Sequence, residues 1–316
     1  MNYQDFCKEI RNEVKASLGD GYKVKLEQVQ KNNGLILISL IILKDGETVT
    51  PNIYLEPYYS KYQISRQLSK IVEDIISQYN IAEKDFVVPA CLSSDFISIK
   101  DKLFCKLINY ERNKDFLNNV PHVKWLDLAI IFCLLVKKDP EGIGSITIKN
   151  DLMERWGITL DILHTVALDN TPLLFESTVR PMNDVIRGLV LDQLPTSDTI
   201  DDFDDILSEI LEQNNTNNSK HPMFVASNKA GLNGASWLLQ RNEIKQLSKS
   251  LHTNLYILPS SVHEVIIVPS NEVGISENDL YQMVCDVNAT QVAPNEFLSD
   301  NVYLYTREDD SLIPLY

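Results

Sequence analysis

The hydrophobic pattern along the chain changes period several times, and each change marks an element. Tyr3, Phe6, Ile10, Val14 and Leu18 recur at three- and four-residue intervals, which predicts a helix ending at Gly19 and Gly21. Two extended runs follow, Tyr22–Gln30 and Leu35–Leu43, joined by Lys31-Asn32-Asn33-Gly34. Asn-Gly between two strands is a strong hairpin signal, because both residues tolerate positive φ. A second turn, Lys44-Asp45-Gly46, leads into Thr48–Leu55, where Pro51 lacks an N–H and predicts an edge strand. Helical spacing then returns over Ser60–Tyr79. Its apolar face is Ile64, Leu68, Ile71, Val72, Ile75, Ile76 and Tyr79, suited to covering a three-stranded meander.

Further along, Leu103–Tyr110 reads as a strand and Asn113–Asn119 as a short helix before Pro121. Trp125–Val136 and Ser145–Ile148 read as paired strands across the turn DPEGIG. Asn150 is placed to cap a helix over Asp151–Trp156, Gly157 to end it, and Thr159 to open another through Asp169. Asp198–Glu212 sets Ile200, Phe203, Ile206, Leu207, Ile210 and Leu211 against seven carboxylates. Met223–Ser227 and Ala235–Leu239 read as strands, and Asn242–Leu251 as a helix. Leu255–Val268 reads as a strand or bent strand pair, Glu277–Val287 as a helix, and Val302–Thr306 as a late strand. Helices and strands are interspersed without βαβ spacing. The expected fold is therefore α+β, with mostly antiparallel sheets and packed helices. Two units are expected: residues 1–120, with the first helix, the meander and its covering helix, and a larger one over 121–316.

Composition narrows the partners. The chain carries 44 acidic against 29 basic residues, a net charge of −15, which opposes attraction to nucleic acid or an anionic membrane surface. Basic residues come in short scattered groups, such as Lys23 with Lys25. The apolar runs Leu35–Leu43 and Trp125–Val136 fall short of the roughly 20 residues that span a bilayer, and the second contains Asp127. The opening MNYQDFCKEIRNEV lacks the apolar core of a signal peptide. Cys7, Cys91, Cys105, Cys133 and Cys285 are widely spaced with no CxxC, so they read as buried thiols in a cytoplasmic protein rather than as a metal or redox motif. No phosphate-binding glycine pattern occurs, and no cofactor is expected.

Candidate chemistry centres on LPSSVHEVIIVP, Leu258–Pro269, which sets two serines, a histidine and a glutamate beside an apolar run. On an extended strand Ser261 and His263 share one face about 7 Å apart at Cα, and Glu264 lies on the other. A nucleophilic triad would need a distant carboxylate such as Asp300 to orient the imidazole. The serine lacks a G-x-S-x-G elbow. His263-Glu264 begins like H-E-x-x-H, but Ile267 stands where the second histidine belongs. The favoured reading is architectural: Pro259-Ser260-Ser261 makes a turn and His263 hydrogen-bonds near a strand end, with catalysis and ligand or partner binding as the alternatives. The helix-turn-helix-like run Ile148–Asn170 carries Asp161, His164 and Asp169 but no Lys or Arg in its second helix, so it reads as a helical corner and not a DNA reader.

Two further groups could meet a protein partner. NIYLEPYYSKY gathers four tyrosines, among them Tyr58 and Tyr59, suited to recognition or to core-edge packing. The acidic stretch presents Phe203, Ile206 and Ile210, and no Lys or Arg occurs between Arg187 and Lys220.

Several runs together, NIYLEPYY, KLINYERNKDFLNNVPH, DLAIIF, WGITLDILHTVALDN, ILPSSVHEVIIVP and QVAPNEFLSDNVYLYTR, resemble a family of uncharacterised proteins, a domain of unknown function from gut Clostridia and related Gram-positive bacteria. The resemblance covers nearly the whole chain. It implies a bacterial cytoplasmic setting and assigns no activity, cofactor or catalytic residue. The functional expectation is a non-catalytic interaction or regulatory protein with a protein partner. The alternative is a metal-independent hydrolase with Ser261 and His263 in its site.

Overall fold

The computed structural model describes residues 1–46, 50–85, 95–139, 142–193, 222–259, 261–271 and 276–316. The fold is α+β, and the strand pairs among the described residues are antiparallel. The chain divides into two compact units, Met1–Ser94 and Asp95–Tyr316. This division differs from the boundary drawn at Val120. The physical reason is strand pairing: β4 (Leu103–Asn109), placed before that boundary, bonds along its whole length to β6 (Leu128–Asp139) after it.

In the first unit, α1 spans Tyr3–Leu18, with the Asn2 side chain accepting from the Asp5 N–H and Gly19 at φ 79 ending it. The strands β1 (Tyr22–Gln30), β2 (Ile36–Lys44) and β3 (Asn52–Tyr54) form the expected meander, ordered β1-β2-β3. Its first turn holds Asn33 at φ 58 and Gly34 at φ 73, and the Leu35 N–H donates to the Asn32 carbonyl. The register puts Val24 and Leu26 opposite Ile42 and Leu40, and this face packs on Phe6, Ile10 and Val14 of α1. The covering helix is not the single one expected. It is α2 (Glu56–Ser65) followed by α3 (Leu68–Asp85), broken where Arg66 turns left-handed at φ 56 and donates its N–H to the Tyr62 carbonyl. The break ends the shared apolar face. Ile71, Val72, Ile75 and Tyr79 are core, while Ile64 is 89% exposed.

The second unit opens with the short α4 (Phe96–Ile99), capped by Asp95, and then β4. After α5 (Lys114–Leu117) come β5 (His122–Trp125), β6 and β7 (Gly142–Thr147). Cys133 and Leu134 of β6 pair with both β4 and β7, so those strands flank opposite sides of β6, with β5 on the β7 side. Trp125 therefore belongs to a separate strand, because Leu126, at φ 55, turns the chain before β6. In α6 (Asn150–Trp156) Asn150 is the first helical residue rather than the cap, and its Nδ2 donates to the Asn118 carbonyl. Thr159 does cap α7, which runs beyond Asp169 through Leu160–Leu174. This helical corner lies on β4: Thr171 Oγ1 accepts from the Cys105 N–H at 2.9 Å, and Asn170 Nδ2 donates to the Leu103 carbonyl.

Next come β8 (Ser177–Pro181), α8 (Met182–Gln193), β9 (Phe224–Asn228), α9 (Arg241–Leu251), β10 (Leu255–Leu258), β11 (Val265–Pro269), α10 (Glu277–Thr290), β12 (Tyr303–Thr306) and β13 (Ser311–Pro314). They build a six-stranded sheet ordered β13-β12-β10-β11-β9-β8. The segment expected as a strand at Ala235–Leu239 is a 3-10 helix over Gly234–Leu239, with Ala235, Trp237 and Leu238 all buried. A short continuous apolar run fits a buried strand and a buried helical turn equally well, so periodicity does not separate them. The two sheets of this unit meet at Asp127, whose carboxylate accepts from the Tyr303 hydroxyl at 2.7 Å and from the Ser299 hydroxyl. Asn109 Nδ2 also donates to the Leu298 carbonyl at 3.0 Å, and the Arg112 guanidinium sits 3.4 Å from the Phe297 ring centre.

The helix break generates a test. Ile75→Ala, at a fully buried position, should cost about 2–5 kcal/mol in chemical denaturation. Ile64→Ala, two residues before the break at Arg66, should stay within about 0.5 kcal/mol of wild type. Equal losses at both would restore the continuous helix.

Candidate functional site

Strand β10 stops at Leu258 and β11 begins at Val265, so the segment singled out by sequence is the turn of a hairpin. Ser261 N–H donates to the Glu264 carbonyl at 3.3 Å, and Ser261 Oγ accepts the His263 N–H at 3.0 Å. The two side chains therefore do not stand on one strand face, and the serine hydroxyl meets the histidine's main chain, not its ring. Ser260 lies outside the described residues.

The imidazole is committed as well. His263 Nδ1 accepts the Asn233 N–H at 3.1 Å, which leaves the ring proton on Nε2, 3.6 Å from Glu296 Oε1. The carboxylate beside this ring is thus Glu296. Asp300, the expected third member, instead accepts from Asn288 Nδ2 at 3.0 Å. Around the ring, Ser227 Oγ donates to the His263 carbonyl at 2.7 Å, and the Val262 N–H donates to the Glu296 carbonyl at 2.8 Å. Gly234 fits because it has no side chain: a Cβ there would lie 2.1 Å from Ser227 Oγ and 2.3 Å from the His263 carbonyl oxygen. Asn233 and Ser227 are 30 and 36 residues from His263, and no local spacing pairs them with it.

The tyrosine group packs inward. Tyr59 lies 5.1 Å from the Tyr3 ring and 5.2 Å from the Phe6 ring, and Tyr58 is half-buried against the same core. Burial raises the Tyr58 hydroxyl's pKa. Glu56, which opens α2, accepts from Tyr3 Oη at 2.6 Å and from the Ile38 N–H at 2.8 Å, tying helix to sheet. Phe203, Ile206 and Ile210 lie outside the described residues. Cys7, Cys105 and Cys133 are buried free thiols, and burial pushes Cys105 up to about 12, where it stays protonated. Among the described residues no three His, Cys, Asp or Glu side chains are grouped to hold a metal ion. No helix among them is long and apolar enough to cross a membrane.

A cleft of about 600 Å³ lies elsewhere in this unit, between the later turns of α9, the start of β10 and the turn after β12. Lys245, Lys249 and His252 line one side and Arg307, Glu308 and Asp309 another. The turn is held to the helix by Asp310, which is left-handed at φ 47. Its carboxylate accepts from Lys245 Nζ and from Tyr305 Oη, each at 2.7 Å, and Arg241 Nε stands 3.5 Å away. The Lys245 bond, then the Tyr305 bond, lowers the Asp310 pKa from 3.8 to about 2. Burial, with the hydrogen bond to that carboxylate, raises Tyr305 to about 12. The sequence held a signal for this site that a search for contiguous basic runs misses. Arg241, Lys245 and Lys249 recur every four residues, which places them along one face of a helix.

A six-stranded and a four-stranded antiparallel sheet joined through hydroxyl–carboxylate bonds, beside a polar cleft, define an α+β protein with a ligand-sized recess. The chain belongs to a family of unknown function (DUF5688), which it matches over residues 3–307. No curated protein and no solved structure matches it.

Gly234→Ala should destabilise by about 1–3 kcal/mol, since main-chain neighbours would have to move; a midpoint equal to wild type would contradict the close approach. For Asp310 the folded pKa is depressed, so its stabilisation is full above about pH 4 and fades as pH falls through about 2. The thermal midpoints of wild type and Asp310→Asn should therefore differ at pH 6 and converge near pH 2. A gap that persists unchanged in acid would assign the effect to something other than the charge.

Proposed function

We propose that this chain is a non-catalytic interaction or regulatory protein of the bacterial cytoplasm, acting by binding a protein partner rather than by covalent chemistry. The observation that carries this reading is the use of both candidate catalytic side chains to close the β10–β11 turn. Ser261 Oγ accepts a main-chain N–H and His263 Nδ1 accepts another. An imidazole whose basic nitrogen is already occupied is not free to take a serine proton, and a nucleophile needs that base within hydrogen-bond reach. The sequence also supports a basic partner, because residues 198–212 carry seven carboxylates with no compensating Lys or Arg.

The specific observation favouring the hydrolase alternative is Glu296, which lies near the protonated nitrogen of His263 in a Ser261–His263 neighbourhood. One experiment separates the two. Ser261→Ala and His263→Ala each remove the acceptor for a main-chain donor and should cost about 1–3 kcal/mol. For a unit of about 200 residues this lowers the thermal midpoint by roughly 2–4 °C per kcal/mol. The same proteins are assayed against a panel of activated esters. Lower midpoints with no hydrolysis above background in wild type support the binding reading. Hydrolysis that both substitutions abolish, at an unchanged midpoint, would establish the enzyme instead.

A further inference from the structure

We infer that the cleft between α9 and the turn after β12 binds a small phosphate ester bearing hydroxyl groups, a sugar phosphate being the simplest molecule of that class. Ligand recesses of roughly 300–1,000 Å³ are usually lined mainly by apolar side chains. This one, about 600 Å³, is lined entirely by residues that carry a polar group. Such a wall gives little to an apolar ligand and must be matched hydrogen bond for hydrogen bond, since unpaired polar groups weaken a complex.

Charge selects the head group. The chain as a whole carries −15, yet Lys245, Lys249, His252 and Arg307 converge here. Asp310 engages Lys245 and Arg241. Lys249 and Arg307 have no ion-pair partner among the described residues, and both side chains are exposed to solvent. Arg presents a planar fork suited to two phosphate oxygens, and Lys a point charge beside it. Lys249 also lies in the last turn of α9, where a cation offsets the helix C-terminus; that role leaves its ammonium free to face an anion.

The remaining groups select the rest of the ligand. Glu308 and Asp309 line the same recess and would repel a ligand that is anionic throughout. They accept hydrogen bonds and so call for donors, which sugar hydroxyls supply. Thr253 Oγ1 and Ser270 Oγ, 3.2 Å apart, add paired hydroxyls to the wall. The turn that carries Arg307 is fixed to α9 through Asp310, so the main chain bearing Arg307 is placed beside the helix bearing Lys249 before the ligand arrives.

The test titrates the full chain at low ionic strength with glucose 6-phosphate, fructose 6-phosphate and ribose 5-phosphate, alongside glucose and inorganic phosphate. At least one ester should bind saturably, with glucose at least about tenfold weaker for want of the charged contacts, and inorganic phosphate also weaker for want of hydroxyl donors to Glu308 and Asp309. Lys249→Gln and Arg307→Gln should each weaken the ester by about tenfold or more. Thermal midpoints should stay near wild type, because neither side chain has an ion-pair partner to lose, and protection of residues 306–311 from hydrogen exchange on ester addition gives a second readout. No response to any ester, or binding that survives both substitutions, overturns the site. Binding only to vesicles containing phosphatidylinositol phosphate, with no response to free esters, overturns the small-molecule assignment. None of these outcomes bears on hydrolysis at Ser261, so this inference and the binding reading above fail separately.

Discussion

The Asp127 carboxylate is the contact on which the second unit's arrangement depends. It sits in the turn between β5 and β6, and it accepts hydroxyl donors from Ser299 and Tyr303, both fully buried. A buried hydroxyl left without a partner costs about 1–3 kcal/mol, so the two donors and their acceptor must be placed together. Burial, together with the neighbouring Asp127 charge, raises the Tyr303 hydroxyl well above its usual range, so it stays a donor. The two sheets are thereby aligned by a short polar seam, to which Asn109 and Arg112 add contacts with Leu298 and Phe297.

That seam also explains why the segment after α10 can serve the β10–β11 hairpin. Residues 296–303 are fixed at one end through Asp127 and at the other by the Val262 N–H on the Glu296 carbonyl. The hairpin turn is then enclosed by three distant pieces of chain, from Ser227, Asn233–Ala235 and Glu296. Each supplies or takes a hydrogen bond that the turn's own residues leave open. A loop built this way spends its polar side chains on its own closure. The cleft beyond α9 is built differently: one carboxylate, Asp310, engages Lys245 and Arg241 and fixes the turn, while Lys249 and Arg307 keep their charge available.

Local pattern carried much of the architecture. The first helix and β1 fall at the residues their periodicity marks, and β2 is displaced by one residue, because an amphipathic helix and an Asn-Gly hairpin each satisfy their backbone within a short stretch. Periodicity carried less where one apolar pattern serves two outcomes. Ile64 continues the helical stripe of Leu68 and Ile71, yet a left-handed Arg66 sends it to solvent. Ala235–Leu239 is as apolar as a strand, and the tight approach of Gly234 to the main chain of His263 makes it a helical turn. The basic stripe of α9 was legible in the four-residue spacing of its cations, but its meaning depended on Arg307, 66 positions beyond Arg241, folding back beside it.

The sequence by itself determined the α+β class, most helix and strand positions of the first unit, the helical corner after β7 and the burial of Cys7, Cys105 and Cys133, whereas Cys285 is only half-buried and Cys91 lies outside the described residues. These depend on periods of two and of three to four residues, which neighbours along the chain enforce. Only the tertiary structure decided that Ser261 and His263 close a turn, that Glu296 rather than Asp300 stands beside the imidazole, and that basic side chains gather around a recess in an acidic protein. Those outcomes rest on groups tens of residues apart, brought together by strand register and sheet order, and no local spacing encodes such a meeting.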